Sequence, residues 1–249
     1  MLKKERQAYI VHQVQLHNKV MSATLSSDIN VSEDTIRRDL QELSHTGKLI
    51  KVHGGALSPS FDKIIYPANK VYALESKKII AQKATKLIKN GMFVLTGGGT
   101  TIIELGKALP ESLSATFISG SIPAIVEYMG HPNIEVIVIG DKLSKNSKIT
   151  LGADALGRIK TLKPDLCFLG MNAISMEHGL TDSDWDVVQL KQTMIASSQK
   201  LVCLAISEKI NTMQPIHVCD ISKIDILVTE LDPGHPLLQP YIDAGITVL

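Results

Sequence analysis

The side chains in this sequence best placed for chemistry are donors aimed at anions. Arg37 and Arg38 stand together inside Val31-Ser32-Glu33-Asp34-Thr35-Ile36-Arg37-Arg38-Asp39-Leu40. Two forked guanidiniums match guanine edges or phosphate oxygens. Ile36, Leu40 and Leu43 recur at i, i+4 and i+7, which lays one helix face on a core and turns Thr35, Arg37, Arg38 and Gln41 outward. Ser32 is expected to cap this helix, with Glu33 and Asp34 at the positive end of its dipole. The bland alternative is an amphipathic surface helix with solvated charges. A second set of donors lies in Thr96-Gly97-Gly98-Gly99-Thr100-Thr101. Glycines there let the backbone approach an anion, and free N–H groups at a helix start, with the two threonine hydroxyls, can wrap a phosphate. It is neither a P-loop nor a GxGxxG, and such a turn can also be a plain strand-to-helix connection.

The elements that must position the arginines follow from their flanks. Leu2 to about Leu16 reads as a helix with Ile10, Val14 and Tyr9 inward. Ser22 to Asp28 reads as a shorter one with Leu25 and Ile29 inward, and Asn30 turns the chain. Helix, short helix, turn and a longer helix with exposed arginines is the helix-turn-helix order. Gly47 is expected to end the last helix as a C′ residue. Lys48-Leu49-Ile50-Lys51-Val52-His53 then alternates cationic with apolar residues before Gly54-Gly55 breaks the run. Such a basic hairpin is a wing suited to the phosphate backbone. His53 is placed near phosphates or serves the turn.

The glycine corner needs a different scaffold. Apolar strands are expected at 92–95, 115–118, 135–139, 166–169, 201–205 and 226–229. Helices are expected at 75–90 (Ile79, Ile80, Ala84 and Leu87 inward), 101–109, 122–129, 153–161 and 187–198. That alternation predicts a mostly parallel sheet covered on both faces, with ligands beyond the strands' carboxyl ends. Three more strand ends join the glycine corner there: Ile118-Ser119-Gly120-Ser121, Gly170-Met171-Asn172 with Gly179-Leu180-Thr181, and Ile206-Ser207-Glu208-Lys209. The rim is expected from Gly98, Gly99, Thr100, Thr101, Ser121 and Lys209, although Lys209 can also be read as an exposed loop lysine.

The first 56 residues resemble the DeoR family of bacterial sugar-responsive repressors. The resemblance is densest in Val31–Leu40, Gly47 and His53-Gly54-Gly55-Ala56. It implies a winged helix-turn-helix with Ser32, Thr35, Arg37, Arg38, Gln41, Lys48, Lys51 and His53 at a double-stranded DNA operator. Lys77-Lys78-Ile79-Ile80-Ala81, Gly99-Thr100-Thr101, Gly152, Asp165–Gly170, Gly179-Leu180-Thr181, Lys191 and Lys209 resemble the family's C-terminal sensor domain. That domain is similar in fold to ribose-5-phosphate isomerase and binds phosphorylated sugars. The resemblance implies that Thr100, Thr101 and Lys209 hold the phosphate, with Lys77 and Lys191 at the site. Gly97, Ser119-Gly120 and Ile206 stand where the family commonly has Asp, Thr-Asn and Asp. Each removes a side chain that could orient a sugar hydroxyl, so the effector is expected to differ from the family's usual ones.

With 249 residues the chain can hold a small and a larger domain. Residues 1–57 are expected to form the DNA-binding domain, 58–71 an exposed, extended linker where relative orientation changes near Pro59, and 72–249 the α/β sensor. Net charge is +1 overall, +2 up to Ala56 and therefore −1 beyond it. Positive charge must act locally rather than as a broad field. Cys167, Cys203 and Cys219 lack CxxC spacing and read as reduced core residues. With no signal-peptide pattern and no bilayer-length apolar segment, a cytoplasmic protein without membrane contact is expected. Asp182, Asp184 and Asp186 read as a solvated loop and helix cap rather than a metal site. Trp185 is either a lid or a core anchor, and His12, His17 and His178 are scattered surface residues. No metal or cofactor is expected. A homo-oligomer is, because one domain makes few base contacts. The function these features imply is a repressor of carbohydrate metabolism genes controlled by a phosphorylated sugar, and not an enzyme. The alternative is a sugar-phosphate isomerase or deaminase carrying a DNA-binding domain, but catalysis needs a poised base, and acids are missing at Gly97 and Ile206.

Overall fold

Ile10 and Val14 on α1 (Lys3–His17) meet Leu25 on α2 (Ser22–Asp28) and Ile36, Leu40 and Leu43 on α3 (Glu33–His45), forming one buried cluster. The computed structural model describes residues 1–61 and 71–249, which divide into units Met1–Tyr72 and Ala73–Leu249. Helix α3 ends as its sequence predicts. Gly47 takes φ +70, its N–H bonds the Ser44 carbonyl, and the Lys48 N–H bonds the Leu43 carbonyl. That pair of bonds is a Schellman closure, which satisfies carbonyls the helix leaves open. Strands β1 (Lys19–Met21), β2 (Ile50–Val52) and β3 (Gly55–Leu57) form an antiparallel sheet in the order β1-β3-β2. Gly55 is required by this packing, since a Cβ there would stand 1.9 Å from the Val20 carbonyl oxygen.

Residues 58–61 differ from the exposed, extended connection expected of them. Ser58 and Ser60 are buried and share a 2.8 Å hydroxyl hydrogen bond, and Pro59–Phe61 form a 3-10 turn. Asp62 and Pro67 of the expected linker lie outside the described residues. His17, read as a surface residue, is also buried.

The second unit is a doubly wound α/β domain. Its chain order is α4 (Leu74–Thr85), β4 (Phe93–Thr96), α5 (Thr100–Lys107), β5 (Ala115–Ser119), α6 (Ile122–Met129), β6 (Ile134–Val138), β7 (Lys142–Ser144), β8 (Ile149–Leu151), α7 (Ala153–Lys160), β9 (Leu166–Gly170), β10 (Ala173–Ser175), β11 (Gly179–Asp182), α8 (Trp185–Ser197), β12 (Lys200–Leu204), β13 (Ile216–Cys219), β14 (Ile226–Val228), α9 (Gln239–Asp243) and β15 (Thr247–Val248). Seven strands form an all-parallel sheet in the order β15-β14-β12-β9-β4-β5-β6. The expected mostly parallel sheet is therefore present. Its order reverses between β4 and β9: the chain winds outward through β5 and β6, then returns to β4's other side. Short antiparallel pieces, β7-β8 and β10-β11-β13, sit beside it.

Helix α4 departs from its expected form. It ends at Thr85 rather than at Asn90, and its buried face is Lys77, Ile80, Ala81 and Ala84, while Ile79 is exposed. Those four recur at i, i+3, i+4 and i+7, so the inward stripe is rotated by one residue and carries a lysine inside.

Candidate functional sites

On α3 the Ser32 hydroxyl accepts the Thr35 N–H at 3.3 Å, and Thr35 Oγ1 lies 2.9 Å from Ser32 Oγ. Arg37, Arg38 and Gln41 are exposed and Thr35 partly so. Arg37 lies 3.4 Å from Glu33 and 3.6 Å from Asp34, in solvent-exposed pairs of the kind that contribute little. Arg38 has no hydrogen bond or ion pair among the described residues. In the wing, Lys48, Lys51 and His53 are exposed, and Lys51 Nζ donates to Gln41 Oε1 at 2.7 Å. The wing's cation and the helix's amide thus form one polar surface, which also includes His45 at 2.9 Å from Gln41.

A second residue of this helix matters and is easily missed. Asp39 is buried, its carboxylate bonded by Arg6 Nε and by Gln7 Nε2 at 3.2 Å. The Arg6 guanidinium is held above its ordinary value, chiefly by that hydrogen bond. Asp39 stands three residues after Ile36, on the inward stripe, and that spacing was the available signal. It ties α3 to α1 and so fixes the orientation of the exposed arginines.

In the second unit, the sheet reversal between β4 and β9 places their carboxyl ends side by side, the usual ligand crevice of such sheets. The Gly97–Gly99 corner leads from β4 into α5. Gly99 has φ +109, a conformation suited to glycine. A Cβ on Gly170 would lie 3.1 Å from the Gly98 carbonyl, and one on Gly98 would lie 3.4 Å from Ser121 Oγ. Three of the four expected corners therefore touch through Gly98. Thr100, Thr101 and Ser121 are buried beside it.

The fourth corner brings lysines. Lys191 Nζ donates to the Gly170 carbonyl at 3.2 Å and to Asp182 Oδ2 at 2.6 Å, and Lys209 Nζ donates to the Met171 carbonyl at 2.7 Å. Two ammoniums thus hold successive carbonyls at the end of β9. Lys77 joins them electrostatically, and all three lysines are less than 10 % exposed. Burial lowers Lys209 to about 7, assisted by the charges of Lys77 and Lys191 and opposed by Asp182 and Glu208. Burial likewise lowers Lys77 to about 8, against the pull of Glu104 and Glu208.

Several sequence readings are corrected here. Lys209 is not an exposed loop lysine. Asp182 is not solvated: it is buried, with Asn172 Nδ2 at 2.6 Å and the Ser183 N–H at 2.7 Å on Oδ1. Burial pushes its carboxyl up, but the charge and hydrogen bond of Lys191 and the bonds from Ser183 and Asn172 outweigh this and hold it below the usual range. Trp185 is 75 % exposed, which excludes the core-anchor reading. The positions with unexpected residues have packing reasons. A Cβ on Gly120 would stand 2.4 Å from Thr150 Oγ1, and Ile206 is buried. Among the described residues, no group of three or more His, Cys, Asp and Glu side chains could hold a metal ion, and no helix is long and apolar enough to cross a membrane.

Residues 6–61 match the DeoR-like helix-turn-helix domain, and residues 73–231 match the DeoR C terminal sensor domain. A winged helix-turn-helix joined to a sensor domain defines a DNA-binding transcriptional regulator. Among similar proteins is the HTH-type transcriptional regulator GolR of Listeria innocua, 32 % identical over 98 % of this chain and 97 % of that protein. The glycerol-3-phosphate regulon repressor of Escherichia coli is 25 % identical over 97 % of this chain and 96 % of its own length. The chain belongs to the DeoR family. In fold, the ribose 5-phosphate isomerase A of Neisseria gonorrhoeae is similar at 18 % identity, with a TM-score of 0.41, covering 55 % of this chain and 53 % of that one.

Proposed function

We propose that this regulator represses carbohydrate metabolism genes and responds to a phosphorylated sugar bound at the β4–β9 crevice. The observation that carries this reading is the contact of the glycine corner with the lysine-lined end of β9. The first N–H groups of α5 have no intrahelical acceptors and carry the positive end of the helix dipole. In the same unit Lys77, Lys191 and Lys209 are buried, and their cationic side chains can take part in holding a multiply charged anion. Thr100, Thr101 and Ser121 supply hydroxyls. At the other end of the chain, Ser32, Thr35, Arg37, Arg38 and Gln41 meet the operator from α3, while Lys48, Lys51 and His53 lie along its backbone. A palindromic operator is bound by a homo-oligomer, which doubles the base contacts of one recognition helix. The protein acts in the cytoplasm and turns over no substrate.

The test is a thermal-shift screen of the full chain against sugar phosphates and their unphosphorylated parents. A ligand that binds the folded state stabilises it by RT ln(1 + [L]/Kd). Stabilisation by a phosphosugar without its consumption, together with altered affinity for an operator selected from random duplexes, is the expected result. Turnover would favour an isomerase or deaminase, and equal stabilisation by the parent sugar would remove the phosphate from the recognition.

A further inference from the structure

We infer that Glu230 is a positioning residue of the effector crevice: its carboxylate caps the turn Ser207–Lys209 and so holds the Lys209 ammonium at the end of β9, ready for the anion. This rests on the crevice being the phosphate site. Lys209 belongs to a 3-10 turn of three residues, too short to be stable by itself. The first N–H of such a turn has no acceptor within it. Ile206 stands at the N-cap position with extended backbone, φ −68 and ψ 149, but its side chain carries no acceptor. The acceptor comes from the neighbouring strand instead. Strands β12 and β14 are parallel partners, so Ser207, just beyond the end of β12, meets Glu230, just beyond the end of β14.

The Ser207 N–H is shared between Glu230 Oε1 at 3.1 Å and Oε2 at 3.0 Å, and Ser207 Oγ donates to Oε1 at 2.7 Å. Thr229 Oγ1 donates to Oε2 at 2.9 Å, which orients the carboxylate. Lys83 Nζ, from α4, donates to the carbonyls on either side of Glu230, Thr229 at 2.8 Å and Leu231 at 2.6 Å. Both oxygens and the flanking backbone of the cap are thus fixed. Burial pushes the Glu230 carboxyl up, but the bonds from Ser207, its own backbone and Thr229 outweigh this and hold it below the usual range. It therefore accepts as an anion at neutral pH, the stronger form of such a bond. Within the turn the Lys209 N–H bonds the Ile206 carbonyl at 2.9 Å, and Lys209 Nζ reaches the Met171 carbonyl at 2.7 Å. The orientation of the turn at Ser207 consequently sets where the lysine stem leaves the backbone. A lysine on a fixed turn is ordered before the ligand arrives, whereas one on a released turn must be ordered at the expense of binding.

Sulfate is the probe, and its affinity for the full chain is read by titration calorimetry, so that differences in stability between variants do not enter. Glu230→Ala should bind sulfate about tenfold more weakly, a loss of the size met when the partner behind a ligand-holding side chain is removed. Glu230→Gln keeps one acceptor for the Ser207 N–H and should lie between Glu230→Ala and the wild type. A cycle with Lys209→Ala separates positioning from a merely structural role. In that background Glu230→Ala should change sulfate affinity little, because the residue it acts through is gone. Wild-type affinity in Glu230→Ala overturns the inference, as does an equal loss with and without Lys209. Should Glu230→Ala fail to fold, Ser207→Ala removes the 2.7 Å bond alone and goes through the same cycle. If sulfate does not bind the wild type, or binds Lys209→Ala equally well, the phosphate-site reading fails and the inference with it. If Lys209→Ala weakens binding and Glu230→Ala does not, that reading survives and only the role of Glu230 falls.

Discussion

Arg38 and Asp39 are neighbours in sequence and face opposite ways. Arg38 is exposed and without a partner among the described residues, while Asp39 is buried against Arg6 and Gln7. Their substitutions should separate accordingly. Arg38→Ala should leave unfolding free energy within about 0.5 kcal/mol of wild type, as surface changes usually do. It should weaken operator binding by about 1–3 kcal/mol if the guanidinium reads a base. Arg37→Ala should act similarly, its pairs with Glu33 and Asp34 being exposed. Asp39→Ala should instead cost about 1–3 kcal/mol in urea unfolding, by leaving Arg6 without its acceptor. Fluorescence anisotropy on a labelled operator and denaturant curves measure the two effects. Unchanged operator affinity in both arginine variants would remove α3 as the recognition helix. The outward arginines were legible from the apolar period of Ile36, Leu40 and Leu43. Asp39 shares that inward spacing, but it is easily passed over because a hydrophobic period marks only the apolar members of a face. Asp182 escaped for a related reason: three aspartates at alternate positions look solvated, and nothing local reveals that Lys191 arrives from the next helix.

At the scale of elements, what could be read depended on length and on local sufficiency. Strands of the large sheet are buried on both faces, so their apolar runs are continuous, and all six expected strands lie within a residue or so of their observed bounds. Helix α6 falls at its expected bounds, with Pro123 in its first turn. The pieces β10, β11 and β13, of three or four residues, leave too short a pattern to read, and β13 joins the β10–β11 hairpin from more than thirty residues further on. The separate short hairpin of β7 and β8 has a consequence for the crevice. Thr150 on β8 donates to the carbonyls of Gly120 and Ile139, and its hydroxyl occupies the space that a side chain at position 120 would need. Gly120→Ala should therefore destabilise the sensor domain by about 1–3 kcal/mol, the usual cost of forcing a methyl into a packed site. Thr150→Ala removes the obstructing oxygen. The double variant should lose less than the sum of the two single losses in denaturant unfolding, and strict additivity would show that the contact does not decide residue 120.

At the scale of the whole molecule the two ends of the chain must share one equilibrium if the crevice controls the operator. An effector shifts DNA affinity only by binding one conformation better than another, and such coupling commonly amounts to about 1–3 kcal/mol. The variant Lys209→Ala with Thr100→Val removes a buried ammonium at the end of β9 and a hydroxyl at the start of α5, both far in sequence from α3 and the wing. It should abolish the change in operator affinity caused by the phosphosugar that stabilises the wild type. Operator binding without effector should stay at the wild-type value, since Ser32, Arg37, Arg38, Lys48 and Lys51 are untouched. Circular dichroism establishes that the variant is folded, and anisotropy with and without the phosphosugar gives the coupling. Sedimentation of each variant at the same concentrations separates a lost response from a changed assembly state, which alone would alter DNA affinity by mass action. A folded variant that still responds at the wild-type effector concentration places the sensor site away from Thr100 and Lys209. One that has lost operator binding altogether shows instead that these two residues support the DNA-competent conformation itself.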